Sequence, residues 1–429
     1  MSNQVKVLLS VIDLGNYNVK GINQDKESIK FKSNISRKYE SYPEAFKYIK
    51  IDGEYTYFEK GSFSLEYVKT NKDYTSQLLY AISKLHEEIN EINTNLTLLL
   101  PIGEMKYKNK YIEELKGKSY NVEVRTSKKL NKKININDIL VVPEGYTSYF
   151  TLKDEDKVGS VLLIDIGGRT TNIVAMVNGE PQVLTTCKIG ILDFYSKIQE
   201  LNSEKEYKLE DIERLIKEGK IQITEKQLIE FMNDVLNEIK LNVNLAHYEK
   251  VKWTGGGSEV LKDIIENHLP KNCTLIKNPL TSNVEGALEV SKITWGLSNG
   301  KVFTVNTKNP KEEVVYNFLL DQYNEADTIK DILYNYIISK NLQTCTHSVN
   351  NMQTMCNIRV EDNTKDDKQC VNDNAKYYTN SEQQEEIINN DFNINLENFK
   401  DKKIEVNIKN DDSIKQANNN ALDFLKNSF

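Results

Sequence analysis

No apolar run in the 429-residue chain approaches the roughly eighteen residues of a membrane span. Its opening, MSNQVKVLLSVID, lacks the basic start, long apolar centre and small-residue cleavage site of an export signal. These absences predict a cytoplasmic protein with no membrane partner. Cysteine is sparse, and the five present (Cys187, Cys273, Cys345, Cys356 and Cys370) form no CxxC pair. That argues against a zinc site or a disulfide framework and for free thiols. His347 falls among the last three, but the irregular spacing in a polar stretch does not make a metal site. Glycine and proline are missing altogether from residues 341–429, which hold nineteen Asn, and ten Lys or Arg against fifteen Asp or Glu. So biased a segment supplies little core, and a low-order, largely disordered tether is expected there.

What remains is ample for folding. The length allows two or three domains, and 39% hydrophobic with 28% charged residues describes a globular chain. Near the N-terminus, VLLSVIDLGNYNVKGIN reads as a β-branched strand, a tight turn at Gly15 and Asn16, and a returning strand. The design recurs at VLLIDIGGRTTNIVAMVNGEPQVLTT, where a strand ending in Asp165 turns at Gly167 and Gly168, and a second turn falls at Asn178 and Gly179. This is an internal duplication of strand, acid, glycine turn and strand. Turns without bulky Cβ atoms let consecutive amides point at phosphate oxygens. An aspartate at each strand end, Asp13 and Asp165, can hold a hydrated divalent cation between the hairpins. Lys20, seven residues after Asp13, can reach back toward the phosphates.

A third element follows in the stretch KVKWTGGGSEVLKDIIENHL, where a strand meets Gly255, Gly256 and Gly257 and then a helix expected to be capped by Ser258. Bare backbone there admits a flat adenine or ribose. In this order the motifs resemble those of the superfamily of actins, heat-shock chaperone ATPases and sugar kinases, across residues 1–297. The wording of DIGGRTTNIV and of VVPEGYTSYF is most similar to the ParM group of plasmid-segregating actins. The resemblance implies a duplicated two-domain α/β fold with ATP and Mg²⁺ in the cleft. It implies that Asp13, Gly15, Asn16, Lys20, Asp165, Gly167, Gly168, Arg169 and Thr170 serve the phosphates and metal, and Gly255–Gly257 the adenosine. It further implies that Glu144, expected to open a helix after Pro143, positions the attacking water as general base. Tyr17 and Asn18 depart from the small residues usual in the first hairpin, and GTP stays open as the nucleotide.

Beyond Gly296 a new unit starts. KVFTVNT alternates with period two, a helix is expected from Pro310, and a second carries Ile329, Ile332, Leu333, Tyr336 and Ile337 at helical spacing. Strand, helix and helix within residues 298–340 resemble a ribbon-helix-helix domain of the ParR adaptor type. The resemblance implies a dimer whose two-stranded ribbon presents Lys301, Thr304 and Asn306 to centromere-like DNA. The unit holds five Lys against six acidic residues, a poor match for phosphate, so a dimerising or bundling module with no DNA partner is the competing reading. The final stretch, residues 418–429, gathers Leu422, Phe424, Leu425 and Phe429 into an apolar cluster too short for a helix alone. By the same resemblance it is a peptide that docks on a filament end, in cis or in trans; the competing reading is a tail helix that packs back on its own domain. The expected function is a filament-forming, plasmid-segregating ATPase fused to its DNA adaptor, with a small-molecule kinase of the same superfamily as the alternative.

Overall fold

A computed structural model describes residues 7–297, Phe318 and residues 411–428. The expected module of residues 298–340, Phe318 apart, lies outside them, as do the tether up to residue 410 and Phe429.

The strands follow from apolar runs that two-sided burial demands. The first, β1 (Leu8–Leu14), is buried along its whole length. It joins β2 (Asn18–Asn23), β3 (Ser28–Lys32), β4 (Ile35–Ser36), β5 (Tyr48–Ile51), β6 (Glu54–Phe58), β7 (Glu91–Leu100), β8 (Ser119–Arg125) and β9 (Lys129–Pro143) in a nine-stranded sheet of order β3-β2-β1-β7-β9-β8-β5-β6-β4. A second sheet contains β10 (Ser160–Ile166), β11 (Thr171–Val177), β12 (Glu180–Cys187), β13 (Lys250–Thr254) and β14 (Cys273–Leu275), in the order β12-β11-β10-β13-β14. The duplication read from the motifs is thus a duplication of topology. In both sheets an antiparallel meander of three strands is extended from its first strand by two successive parallel strands. The turn between β11 and β12 places Asn178 and Gly179 at φ 50° and 81°, the left-handed pair that a two-residue hairpin requires.

Helix α1 (Thr75–Leu85) covers the first sheet with Leu78, Leu79 and Ile82 in its core. After α2 (Lys108–Leu115) and the single turn α3 (Asp154–Lys157), helices α4 (Ile191–Leu201), α5 (Leu209–Lys217), α6 (Glu225–Lys240), α7 (Gly255–Val260) and α8 (Lys262–His268) belong to the second lobe. Their apolar faces share a core with Ile164, Trp253 and the buried free thiols Cys187 and Cys273. A third core lies between the lobes, where Tyr146, Tyr149, and Val284 and Leu288 of α9 (Ser282–Thr294) pack with Val11 and Leu163 of the two sheets. Helix α9 ends at Thr294 with Trp295 at its C-cap, and Gly296 follows at φ 65°.

The chain's last described element follows the competing reading of the tail, a helix packed back on its own domain, and corrects the docking peptide. The apolar cluster is no short peptide of residues 418–429, because it lies on a helix of eighteen residues, Asp411–Ser428. Tertiary contact supplies what length alone does not. Ala417, Ala421 and Leu425, spaced at i, i+4 and i+8, are buried, with Ala421 and Leu425 in the core between the lobes. Tyr146 donates its hydroxyl to the Ala421 carbonyl at 2.9 Å and stacks on Phe424 with ring centroids 5.8 Å apart, while Asn420 donates to the Asn178 carbonyl at 3.1 Å. A Cβ on Gly179 would stand 1.8 Å from the Ala417 carbonyl oxygen, so the hairpin turn and helix meet backbone to backbone. Leu422, Phe424 and Leu425 therefore pack on their own chain's domain. Among the described residues no helix is long and apolar enough to cross a membrane.

Candidate functional site

The two meanders bring equivalent groups together. Asp13 pairs across its hairpin with Lys20, and Asp165 with Asn172, at the same place in each repeat. Glycine is obligatory where the turns close. A Cβ on Gly15 would lie 2.3 Å from the Asn18 carbonyl oxygen, and one on Gly168 would lie 3.0 Å from the Tyr17 amide, where the two hairpins touch. Between them is a cavity of about 40 Å³ lined by Asp13, Gly15, Asn16, Lys20, Lys69, Glu144, Asp165, Gly167, Gly168, Thr170 and Gly256. Tyr17, Asn18, Ile191 and Gly256 also line an adjoining pocket of about 250 Å³ walled by Phe194, Tyr195, Glu213, Lys217 and Val260. A compact polar site thus opens beside a roomier, partly aromatic one.

The polar site is dominated by buried carboxylates. Asp13, Glu144 and Asp165 are each no more than 6% exposed. Lys69, 3% exposed, donates from its ammonium to Asp13 Oδ1 at 2.7 Å and to Glu144. Lys20 stands 3.6 Å from Asp13 Oδ2. Burial alone would raise the Asp13 carboxyl, but the Lys69 and Lys20 charges outweigh it and hold it below its ordinary value. At Glu144 burial wins over Lys69, aided by the charges of Asp13 and Asp165, and the carboxyl is pushed up to about 7. Asp165 is likewise raised by burial, although Asn283 donates to its Oδ2 at 2.9 Å. Asn172 spans Glu144 at 3.3 Å and Asp165 at 3.4 Å. Lys72 donates to Asn16 Oδ1, and burial beside the Lys69 charge lowers its ammonium to about 7.

Most of the residues singled out in the sequence meet here, with four changes of detail. Glu144 does not open a helix: it follows the fifteen-residue β9 and precedes Gly145 at φ 74°, and a 3₁₀ turn begins at Thr147. At the strand-to-helix step into α7 the N-cap position is Thr254, whose side chain makes no capping bond, and Ser258 sits within the helix and donates to the Thr254 carbonyl. Of the three glycines, only Gly256 lines the pockets. A Cβ on Gly255 would lie 2.4 Å from Asp165 Oδ1, and one on Gly257 would lie 2.2 Å from Ile166 Cγ2, so these two let α7 press on the end of β10. Arg169 turns away from the cavity to donate to the Ser64 carbonyl at 3.0 Å and lie over the Tyr67 ring. Lys69, Lys72, Asn172 and Asn283 were not anticipated. Asn172 was findable, since it stands seven residues after Asp165 as Lys20 does after Asp13. Nothing local marks Lys69 in EYVKTNKDY.

Asp13 and Asp165 face one cavity from two hairpins, and among the described residues no three His, Cys, Asp or Glu side chains could hold a metal ion. That donor set fits an ion gripped through its water shell.

The fold and site define a class, proteins of actin-like architecture. Residues 11–146 match the family model described as the N terminal domain of actin like proteins. No curated protein sequence matches the chain. Among solved structures it is similar to the 15-stranded ParM filament from Clostridium botulinum, with 22% identity, a TM-score of 0.57, and coverage of 67% of this chain and 100% of that one. It is also similar to apo ParM of pSK41, at 18% identity and TM-score 0.52 over 68% and 99% of the two chains. An archaeal actin homolog in complex with ADP aligns at 18% identity and TM-score 0.54 over 67% and 100%. These likenesses establish the actin-like fold of the chain.

Proposed function

We propose that the chain is an actin-like ATPase that assembles into filaments and serves plasmid segregation. One observation carries the reading: two topologically equivalent hairpins, each with an aspartate and a glycine turn, meet around one polar cavity beside a pocket of base-and-ribose size. The similar structures are consistent with it, since they include a ParM filament and an archaeal actin homolog in complex with ADP.

In this reading the amides of the Gly15–Asn16 and Gly167–Gly168 turns hold the phosphates, with Lys20, Asn16 and Thr170 alongside. The adenosine lies across Gly256 in the larger pocket, between Ile191, Tyr195 and Val260. Asp13 and Asp165 hold Mg²⁺ through water; the bound ion would neutralise charge developing on the phosphate oxygens. Glu144, held by Asn172, orients the attacking water and takes its proton, and burial raises its carboxyl toward the basicity that task needs. GTP in place of ATP is tested by the same assay.

The adaptor half of the proposal rests on sequence pattern alone. Residues 298–340 dimerise as a ribbon-helix-helix and present Lys301, Thr304 and Asn306 to centromere-like DNA. The test is light scattering and phosphate release by the full chain with Mg-ATP, beside a gel shift on DNA from its own upstream region at two salt concentrations. Polymer with a salt-sensitive, sequence-selective shift supports the whole reading. Polymer without the shift leaves a filament whose appendix serves protein contacts, and failure to bind nucleotide overturns the ATPase.

A further inference from the structure

Lys69 occupies the centre of the site, yet no phosphate motif accounts for it. It opens a 3₁₀ turn, Lys69–Asn71, and its amide is tied to Glu104 Oε2 at 2.8 Å. Its ammonium joins Asp13, next to the end of β1, to Glu144, which follows β9. Three residues on, Lys72 reaches Asn16 in the first phosphate turn. This short turn and the residue after it therefore lay two lysines on the metal-holding aspartate, the water-positioning glutamate and the phosphate turn.

This arrangement conflicts with a filled site. The ammonium stands within hydrogen-bonding reach of both carboxylates, where a hydrated ion beside Asp13 and a water beside Glu144 would have to sit. It also answers a need of the empty site. Buried carboxylates without a countercharge are strongly unfavourable. An ammonium satisfies them when nothing is bound, a divalent ion satisfies them when nucleotide is bound, and the two cannot share one place.

We propose that Lys69 is a built-in counterion latch: it holds Asp13 and Glu144 in the empty site and releases them to the incoming metal and nucleotide, carrying its turn with it. The step exchanges ion-pair partners and breaks no covalent bond. The released ammonium passes to the phosphate side, where Lys72 already lies, so positive charge moves toward the incoming negative charge. Lys69 thereby acts on the reaction through Asp13 and Glu144, as a positioning residue. The inference rests on the nucleotide-site reading.

The test uses the full chain and Mg²⁺ or Mn²⁺ without nucleotide. In Lys69→Met Glu144 loses its ammonium and Asp13 keeps only Lys20, so the pair accepts a divalent ion in place of Lys69. The variant's melting temperature should rise by about 5 °C at an ion concentration a hundredfold above the dissociation constant. The wild-type protein and Lys69→Arg should not respond to the ion alone. A second arm follows hydrogen exchange over residues 66–74, which should quicken in the wild-type protein on addition of Mg-ADP. A Lys69→Met protein indifferent to the ions, or exchange over residues 66–74 unchanged by bound Mg-ADP, overturns the latch. If Lys69→Met does not fold, Lys69→Arg and the exchange arm decide the matter. If calorimetry finds no Mg-ADP binding to the wild-type protein, the nucleotide reading fails, while the ion-only arm still judges the latch.

Discussion

Replacing Leu425 by alanine attacks the C-terminal helix at its most completely buried large side chain. The helix carries three consecutive asparagines, Asn418–Asn420, and an isolated helix of this length and composition is marginal in water. Its order therefore depends on its seat. Leu425 is only 5% exposed, within the core that includes Tyr146 and Met176. Removing such a side chain at an interface that can separate costs about 2–3 kcal/mol, without the full cavity penalty of a closed core. That free energy corresponds to a fall of about 30-fold to 150-fold in the ratio of docked to undocked helix. Hydrogen exchange read by mass spectrometry separates the outcomes. Amides of residues 413–428 should lose protection by about that factor, while those of β10 and β13 keep theirs. Equal loss in the strands would mean that the helix is an inseparable part of the fold. No loss anywhere would mean that Leu425 does not hold the seat, and either result refutes the reasoning.

Other consequences follow from single groups. Lys72 is lowered to about 7 by burial, so the folded protein gives up its proton at lower pH than the unfolded chain. Between pH 7 and its ordinary value of 10.5, stability therefore rises with pH through this group, and below about 7 the buried ammonium is a net cost. Lys72→Met should raise the melting temperature of the nucleotide-free protein at pH 6, lose that advantage toward pH 10, and weaken nucleotide binding in calorimetry. Glu144→Gln keeps an oxygen for Asn172 but cannot take a proton. Single-turnover phosphate release should fall by about 100-fold or more while nucleotide affinity changes by only a few-fold. Gly257→Ala drives a methyl group to 2.2 Å from Ile166 Cγ2 and should cost about 1–3 kcal/mol in denaturant titrations.

The hairpins were legible because their information is local. A period-two apolar run, an aspartate at its end and a glycine turn dictate a meander whatever surrounds it. Repetition at Asp13 and Asp165 then fixed how two such units face each other. Glu144 was found through resemblance, but its setting was misread, because the polar stretch KLNKKININD hides the outer half of β9. Its alternation, with Leu130, Lys132, Ile134 and Ile136 on one side, becomes clear only when β7 and β8 flank it. Lys69 could not be read at all. It lies 56 residues from Asp13 and 75 from Glu144, and its role arises wholly from tertiary placement. The C-terminal helix was obscured differently. The Leu and Phe cluster suggested a short peptide, while the stripe of Ala417, Ala421 and Leu425 that sets its true register began earlier, in a segment of low helix propensity.

The latch and the helix meet on three consecutive residues. Glu144 is gripped by Lys69, Gly145 donates its amide to Asn283 Oδ1 at 2.8 Å, and Tyr146 holds the C-terminal helix through its hydroxyl and its ring. The Asn283 side chain in turn donates to Asp165. A rearrangement that frees Glu144 from Lys69 thus pulls on the backbone that carries the helix's seat. Coupling between two sites must be reciprocal, so the factor by which the docked helix changes nucleotide affinity equals the factor by which nucleotide changes helix docking. Both factors are measurable on one protein. The first is the ratio of Mg-ADP dissociation constants for the full chain and for a chain ending at residue 410. The second is the change in hydrogen-exchange protection of residues 413–428 when Mg-ADP is added to the full chain. A coupling of about 1–3 kcal/mol gives factors of about 5 to 150 in each experiment. Matching factors would make the tail helix an effector of the nucleotide site. Two factors of unity would mean that the segment Glu144–Gly145–Tyr146 is rigid, and that the helix is held by a surface the nucleotide never reaches.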